Sequence, residues 1–206
     1  KTSDHTTSEI YFFDTNKTNP KPKLFRKRQK EIEYSIDSWK GYFYIHTNLD
    51  AEDFKICLCK IDNIEKWQDY IPATNGVLIG GFNLLNKWMI RSEVRDALAK
   101  LYVRNLDTNI EEELIVTDEK VISPGTSLMQ KDRNTNKIYI AYQSPKTPGK
   151  SYIYNVLTKE KKLIKEEIVP SGHNPDDYIV QRLNCDSHDG KKIPLTITRH
   201  KKTQLD

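Results

Sequence analysis

Lys137-Ile138-Tyr139-Ile140-Ala141-Tyr142, followed by Ser151-Tyr152-Ile153-Tyr154-Asn155-Val156, decides the fold class. The first run places Ile138, Ile140 and Tyr142 on one side of an extended chain, the period of a strand with one buried face. The segment between the runs holds Pro145, Pro148 and Gly149, so it turns the chain back on itself. A short charged strand is expected over residues 161–164, and a weaker apolar one over 125–129.

The same order occurs twice more upstream. Gly41-Tyr42-Phe43-Tyr44-Ile45-His46-Thr47-Asn48 precedes Phe54-Lys55-Ile56-Cys57-Leu58-Cys59-Lys60-Ile61-Asp62. Lys87-Trp88-Met89-Ile90-Arg91-Ser92-Glu93 precedes Lys100-Leu101-Tyr102-Val103-Arg104-Asn105-Leu106-Asp107. Closing strands are expected at 67–71 and 113–116, and leading ones at 33–39 and 78–85. Tyr42 and Trp88 stand 46 residues apart, Trp88 and Ile138 50. Four strands per unit, at a period in the high forties, is the pattern of propeller blades. One such sheet buries neither face by itself, and stacking on neighbours buries both. Asp14, Asp62 and Asp107 stand where each chain turns to its outer strand, and Asp favours such turns by bonding its own downstream backbone.

The reading is an all-β chain, a partial β-propeller of three blades at 31–72, 76–117 and 122–168. A half blade over 1–30 precedes them, built on Glu9-Ile10-Tyr11-Phe12-Phe13-Asp14 and Lys23-Leu24-Phe25-Arg26. Its 206 residues are enough to bury a core, and 36% hydrophobic with 30% charged residues is a globular composition. The 33 Lys+Arg against 29 Asp+Glu leave +4, too small a bias to argue for nucleic acid. No apolar run approaches the length of a membrane span, and no leader is expected at the polar start. The chain begins with Lys, so it is read as trimmed or as beginning internally. Three cysteines without framework spacing fit a reducing, cytoplasmic setting.

Chemistry-bearing motifs are few. A serine nucleophile on a strained elbow needs Gly-x-Ser-x-Gly, which is absent; Ser127 and Ser171 lack the flanking glycines and read as loop serines. His5, His46, His173, His188 and His200 show no zinc spacing. Cys57 and Cys59 share one side of a strand and read as small core residues. Pro148-Gly149-Lys150-Ser151 resembles the end of a phosphate loop, but position 144 is Ser rather than Gly, so a hairpin turn is expected. Asn16-Lys17-Thr18 is a sequon by pattern alone. Arg26-Lys27-Arg28-Gln29-Lys30 reads as a solvated connection, with a patch for acidic peptide as the alternative. Trp39, Trp67 and Trp88 read as blade core. No metal and no cofactor is expected.

The C-terminal part carries a more specific pattern. Ser144-Pro145-Lys146-Thr147-Pro148 leads to Val169-Pro170-Ser171-Gly172-His173-Asn174-Pro175-Asp176-Asp177-Tyr178. Gln181-Arg182-Leu183 and Ser187-His188-Asp189-Gly190-Lys191-Lys192-Ile193-Pro194-Leu195 follow. This string resembles the junction at which the propeller of prolyl oligopeptidase family serine peptidases returns the chain to an α/β-hydrolase domain. The Arg182-Leu183 pair is similar to the oligopeptidase B (protease II) branch. Lys159, where a Gly is usual, and Asn184, where an aromatic is common, depart from it.

The resemblance implies an interdomain crossover at 169–180 and the start of a truncated hydrolase domain at 181–206. It implies a hinge at Pro170, Gly172, Pro175 and Tyr178, because two prolines stiffen the segment and one glycine loosens it. It further implies a fragment of a serine oligopeptidase acting on short peptides, in the full enzyme after Arg or Lys. The family's catalytic Ser, Asp and His have no counterpart in the chain, so inactivity alone is expected, with a separately encoded catalytic half as a candidate partner. The alternative is a stand-alone propeller-like interaction module.

Overall fold

The computed structural model describes residues 2–3, 5–129 and 133–204. Residues 1–81 and 82–206 form two compact units, the division falling within one strand.

The first unit opens with a three-stranded antiparallel sheet of β1 (Thr2–Ser3), β2 (Ser8–Phe12) and β3 (Lys23–Arg26). A four-stranded antiparallel meander follows: β4 (Tyr34–Trp39), β5 (Tyr42–Thr47), β6 (Lys55–Lys60) and β7 (Asn63–Ile71). Its core joins Ile10 and Phe25 to Tyr34, Phe43, Ile45, Cys57 and Cys59. Tyr34 reaches furthest: its hydroxyl donates to the Arg26 carbonyl at 2.9 Å and accepts from the Ile10 N–H at 3.1 Å.

Two more four-stranded meanders follow, all but the start of the first of them lying in the second unit. One is β8 (Val77–Leu85), β9 (Trp88–Arg95), β10 (Leu98–Asn105) and β11 (Glu111–Glu113). The other is β12 (Ser123–Leu128), β13 (Lys137–Gln143), β14 (Lys150–Asn155) and β15 (Lys161–Glu166). Leu85, Ile90, Leu101 and Val103 from the first pack against Ile138, Ile140 and Tyr142 from the second. A two-stranded ribbon, β16 (Tyr178–Asp186) with β17 (Lys192–His200), closes the unit. The single helical element among the described residues is a 3-10 turn at Pro175–Asp177.

Strand character follows the side chains. In β13 the buried positions are Ile138, Ile140 and Tyr142, the alternation read from the sequence. In β5 Phe43, Tyr44 and Ile45 are buried in succession, so both faces are covered. β15, Lys-Lys-Leu-Ile-Lys-Glu, is exposed throughout. Trp67 and Trp88 pack against the two cores as expected; Trp39 is half-buried under the Lys40 ammonium, 5.9 Å from its ring. Ser127 sits in β12, contrary to its reading as a loop serine.

The outer strands differ from expectation. β7 begins at Asn63, because Lys60 pairs with Asn63 across a two-residue turn at Ile61-Asp62. β11 ends at Glu113, whereas 113–116 was expected. Leu114 N–H still donates to the Leu101 carbonyl at 2.8 Å, but the Val116 carbonyl accepts from Lys161 Nζ at 2.7 Å.

The outer turns are also stabilised differently. Asp14 Oδ1 accepts from the Asn16 N–H at 3.0 Å, as aspartate at a turn should. In the next two such turns of the second unit the role belongs to asparagine. Asn105 Oδ1 takes the N–H groups of Asp107 and Thr108, and Asn155 Oδ1 those of Leu157 and Thr158. Asp107 instead pairs with Lys87 at 3.0 Å. Both turns end on a left-handed residue, Asn109 at φ 60° and Lys159 at φ 62°. The unusual Lys159 thus occupies a position where glycine is relaxed.

The β9–β10 turn places Asp96 and Ala97 at φ 50° and 54°. Left-handed backbone costs a non-glycine residue ~1–2 kcal/mol, and glycine loses ~0.5–1 kcal/mol of entropy on ordering. Ala97→Gly is therefore expected to stabilise the protein by about 0.5–1 kcal/mol. A lowered melting temperature would refute the strain argument.

Candidate functional site

The segment singled out in the sequence lies where several elements of the second unit converge. Residues 144–149 form the loop between β13 and β14. Ser144 N–H donates to the Thr147 carbonyl at 3.0 Å, and the Lys146 and Thr147 N–H groups donate to Ser144 Oγ. Glu119 then gathers both hydroxyls: Ser144 Oγ donates to Oε2 and Thr147 Oγ1 to Oε1, each at 2.6 Å. Thr147 is buried by this arrangement. The Ser-Pro-Lys-Thr-Pro string is thus a rigid loop locked by a carboxylate.

The segment after β15 is tied to that loop at two points. Glu167 N–H donates to the Gly149 carbonyl at 2.8 Å, and its carboxylate lies against Gly149, where a Cβ would stand 2.9 Å from the carboxyl carbon. Further on, His173 Nε2 meets the Lys146 carbonyl at 2.7 Å. Between these anchors residues 168–172 are exposed. Pro170 and Ser171 form the centre of a turn closed by the Gly172 N–H on the Val169 carbonyl at 3.0 Å, with Gly172 at φ 81°.

Pro175 and Tyr178 belong to more ordered surroundings. Asn174 Oδ1 accepts from the Asp176 N–H, capping the 3-10 turn, and Pro175 takes the early position where no N–H is needed. The Tyr178 ring stacks on His173 at 5.1 Å and meets His200 edge-on at 5.5 Å. Of the four expected hinge residues, Pro170 and Gly172 share the exposed turn, while Pro175 and Tyr178 sit beyond the second anchor. Arg182 holds the ribbon over the β9–β10 turn, with Nη1 donating to Thr196 Oγ1 at 3.3 Å and Nη2 to the Asp96 carbonyl. Glu119 and Glu167 escaped the sequence reading, because each acts through a hydroxyl or backbone partner distant in sequence.

Nucleophile candidates fare poorly. Ser187, His188 and Asp189 follow one another in the β16–β17 turn, and Ser187 Oγ lies 3.4 Å from His188 Nδ1. The Asp189 carboxylate, however, accepts from the Lys191 N–H at 3.2 Å. That bond, aided by Ser187, holds Asp189 below the usual carboxylate range and commits it to the turn rather than to the imidazole. Burial pushes the Cys57 thiol up to about 12 and Cys59 up to about 11, so neither is a thiolate near neutral pH. Cys57 Sγ donates to Asp69 at 3.4 Å. His46 is stacked on Phe54 at 4.6 Å with Nε2 against the Ile79 carbonyl at 2.7 Å; burial lowers its pKa, so it is a neutral structural donor. In the basic run, Arg26 lies 4.4 Å from the Trp67 ring and is part of the packing.

The sequence profile described as "Prolyl oligopeptidase, N-terminal beta-propeller domain" matches residues 1–167. Dipeptidyl aminopeptidase BI of Pseudoxanthomonas mexicana is 30% identical over 183 residues, covering 87% of this chain and 25% of that protein. Protease 2 of Moraxella lacunata is 22% identical over 194 residues, covering 94% and 28%. Oligopeptidase B from Trypanosoma brucei, in a closed form with covalently bound antipain, superposes with a TM-score of 0.84 at 24% identity, over 97% of this chain and 30% of that one. The chain thus spans about a quarter of the length of these curated relatives. The all-β fold class read from the sequence is borne out: four-stranded antiparallel sheets like those of the family's propeller domain.

Proposed function

We propose, from the premise that the chain belongs to the prolyl oligopeptidase family through its N-terminal β-propeller domain, that it is the substrate-gating part of a serine oligopeptidase. In this reading residues 1–168 restrict access to short peptides. Residues 169–180 cross between domains, and 181–206 begin an α/β-hydrolase domain that carries the nucleophile.

The observation that carries the proposal is the β16–β17 ribbon. Leu183 pairs with Leu195 and Cys185 with Ile193, and alternation puts all four on one face. Leu183, Ile193 and Leu195 are exposed. A two-stranded ribbon is marginal by itself, and an apolar sheet face is normally covered by a second layer. A hydrolase-type domain, in the same polypeptide or separately encoded, supplies that layer. The exposed turn at Pro170 and Gly172, held between anchors at Glu167 and His173, supports a hinge there, with Pro175 and Tyr178 fixing its far end. Cleavage after Arg or Lys, through an acyl-enzyme, rests on the Arg182-Leu183 likeness to oligopeptidase B. All three cysteines are unpaired, and the exposed Cys185 fits a reducing cytoplasm.

Fluorogenic peptides bearing Arg, Lys or Pro test the reading. The chain alone is expected to cleave none of them and to take up no fluorophosphonate beyond a denatured control. With the catalytic domain present, cleavage after Arg or Lys is expected to exceed cleavage after Pro. Serine labelling in the chain alone would overturn the non-catalytic role; a preference for Pro would overturn the specificity.

A further inference from the structure

The outer edge of β10 is covered along only part of its length. β10 has 8 residues, and β11 pairs with Tyr102, Val103 and Arg104 alone. In the other two meanders the outermost strand runs along nearly all of its neighbour: β7 along Ile56 to Lys60, β15 along Lys150 to Tyr154.

Backbone groups of an antiparallel strand point alternately to either side. Asn105 N–H donates to the Ile110 carbonyl and the Leu101 carbonyl accepts from Leu114 N–H, so these residues turn toward the outer side. By the same alternation Ala99 does too, and its N–H and C=O meet no protein partner among the described residues. The residue due to meet it, two beyond Leu114, is Val116. Lys161 Nζ takes the Val116 carbonyl at 2.7 Å and holds it away. A groove of about 460 Å³ lies beside Ala99, with apolar walls at Leu98, Ile115 and Ile122. Ile115 is 71% exposed.

We propose that this edge is a strand-addition site for an extended peptide, paired through its backbone to Ala99 with an apolar side chain in the groove. The edge itself selects the occupant. An N–H and a C=O presented together by one extended residue are satisfied by another extended backbone, whereas a helix has spent its own groups internally. Charge does not choose the ligand, because Lys100 is already paired with Glu113 at 2.7 Å, Glu119 accepts from Ser144 and Thr147, and the other lining charges, Asp118 and Lys120, are one of each sign. The site is independent of the hydrolase reading.

The test is fluorescence anisotropy of the full chain with a fluorescein-labelled Thr-Val-Thr-Val-Thr-Val amide as probe. Its alternately N-methylated analogue, which cannot pair, is the control and is expected not to bind. Ala99→Pro removes the donor; Lys161→Met frees the Val116 carbonyl to close on Ala99. Each is expected to weaken binding about tenfold, the factor for roughly one net main-chain hydrogen bond. Lys161→Met also keeps the test decisive should Ala99→Pro fail to fold. No binding into the millimolar range, binding of the methylated analogue, or unchanged affinity in Lys161→Met would each overturn the proposal.

Discussion

Replacing Arg91 with alanine is expected to destabilise the fold of residues 82–206 by about 3–5 kcal/mol, the usual cost of removing one partner from a buried ion pair. The Arg91 side chain is 6% exposed, as is Glu93. Its Nη1 donates to Glu93 at 2.8 Å, and Nη2 and Nε together grip Glu111 at 2.7 and 3.2 Å. Tyr102 lies 4.5 Å beneath the guanidinium. Burial pulls the guanidinium pKa down, but the bonds from Glu111 and Glu93 more than offset it, so Arg91 remains firmly charged. Arg104 lies 3.7 Å from Glu111 and Arg95 3.9 Å from Glu93, too distant to replace the lost bonds. Alanine would leave the buried Glu93 and the half-buried Glu111 carboxylates without their shared donor. The matching control removes the cluster together: Arg91→Met with Glu93→Leu and Glu111→Leu is expected to recover most of the loss, since apolar replacement of a whole buried pair is often neutral. Chemical denaturation of both variants checks this. A loss below about 1 kcal/mol in Arg91→Ala would mean that water reaches the cluster and screens it as at a surface.

The strands were legible because side-chain period is a local property. Ile138, Ile140 and Tyr142 announce their common face without knowledge of any neighbour. The ends of outer strands were less legible, since they depend on partners far away in sequence. Nothing near Val116 indicates that Lys161, in another strand, will take its carbonyl and end β11 early. The same holds for turn chemistry: Asn105 and Asn155 outperform the adjacent Asp107 and Thr158 only because their positions let one side chain cap two successive N–H groups. At the candidate site, Pro170, Gly172 and Pro175 were visible as backbone punctuation. Glu119 and Glu167 were invisible, because a carboxylate that locks a loop leaves no spacing pattern. Arg91 was passed over, although a charge at a position expected to be buried, with Glu93 two residues on along the same face of β9, is itself a sign of a buried partner.

Phe25→Ala is expected to cost the first unit about 3–5 kcal/mol, the range for truncating a buried phenylalanine to alanine. Phe25 is 1% exposed and stands on β3, in the three-stranded sheet. Its ring meets Phe43 edge-on at 5.1 Å and Phe12 at 5.9 Å, and lies 6.1 Å from Tyr34 and 5.8 Å from Trp67. Those neighbours come from β2, β4, β5 and β7, so one side chain joins both sheets of residues 1–81. Its loss removes the transfer free energy of the ring and leaves a hole that four aromatic neighbours cannot fill without leaving their rotamers. Tyr34→Phe is the graded comparison. It keeps the packing but deprives the Ile10 N–H and the Arg26 carbonyl of a partner, with an expected cost of ~1–3 kcal/mol. Native-state hydrogen exchange separates the outcomes. Protection should fall across β2 to β7 in Phe25→Ala and stay unchanged around Ile138 and Ile140, because the two units have separate cores. An equal fall in both units would show that they unfold as one, and a fall smaller than that of Tyr34→Phe would show that hydrogen bonding rather than aromatic packing joins the two sheets.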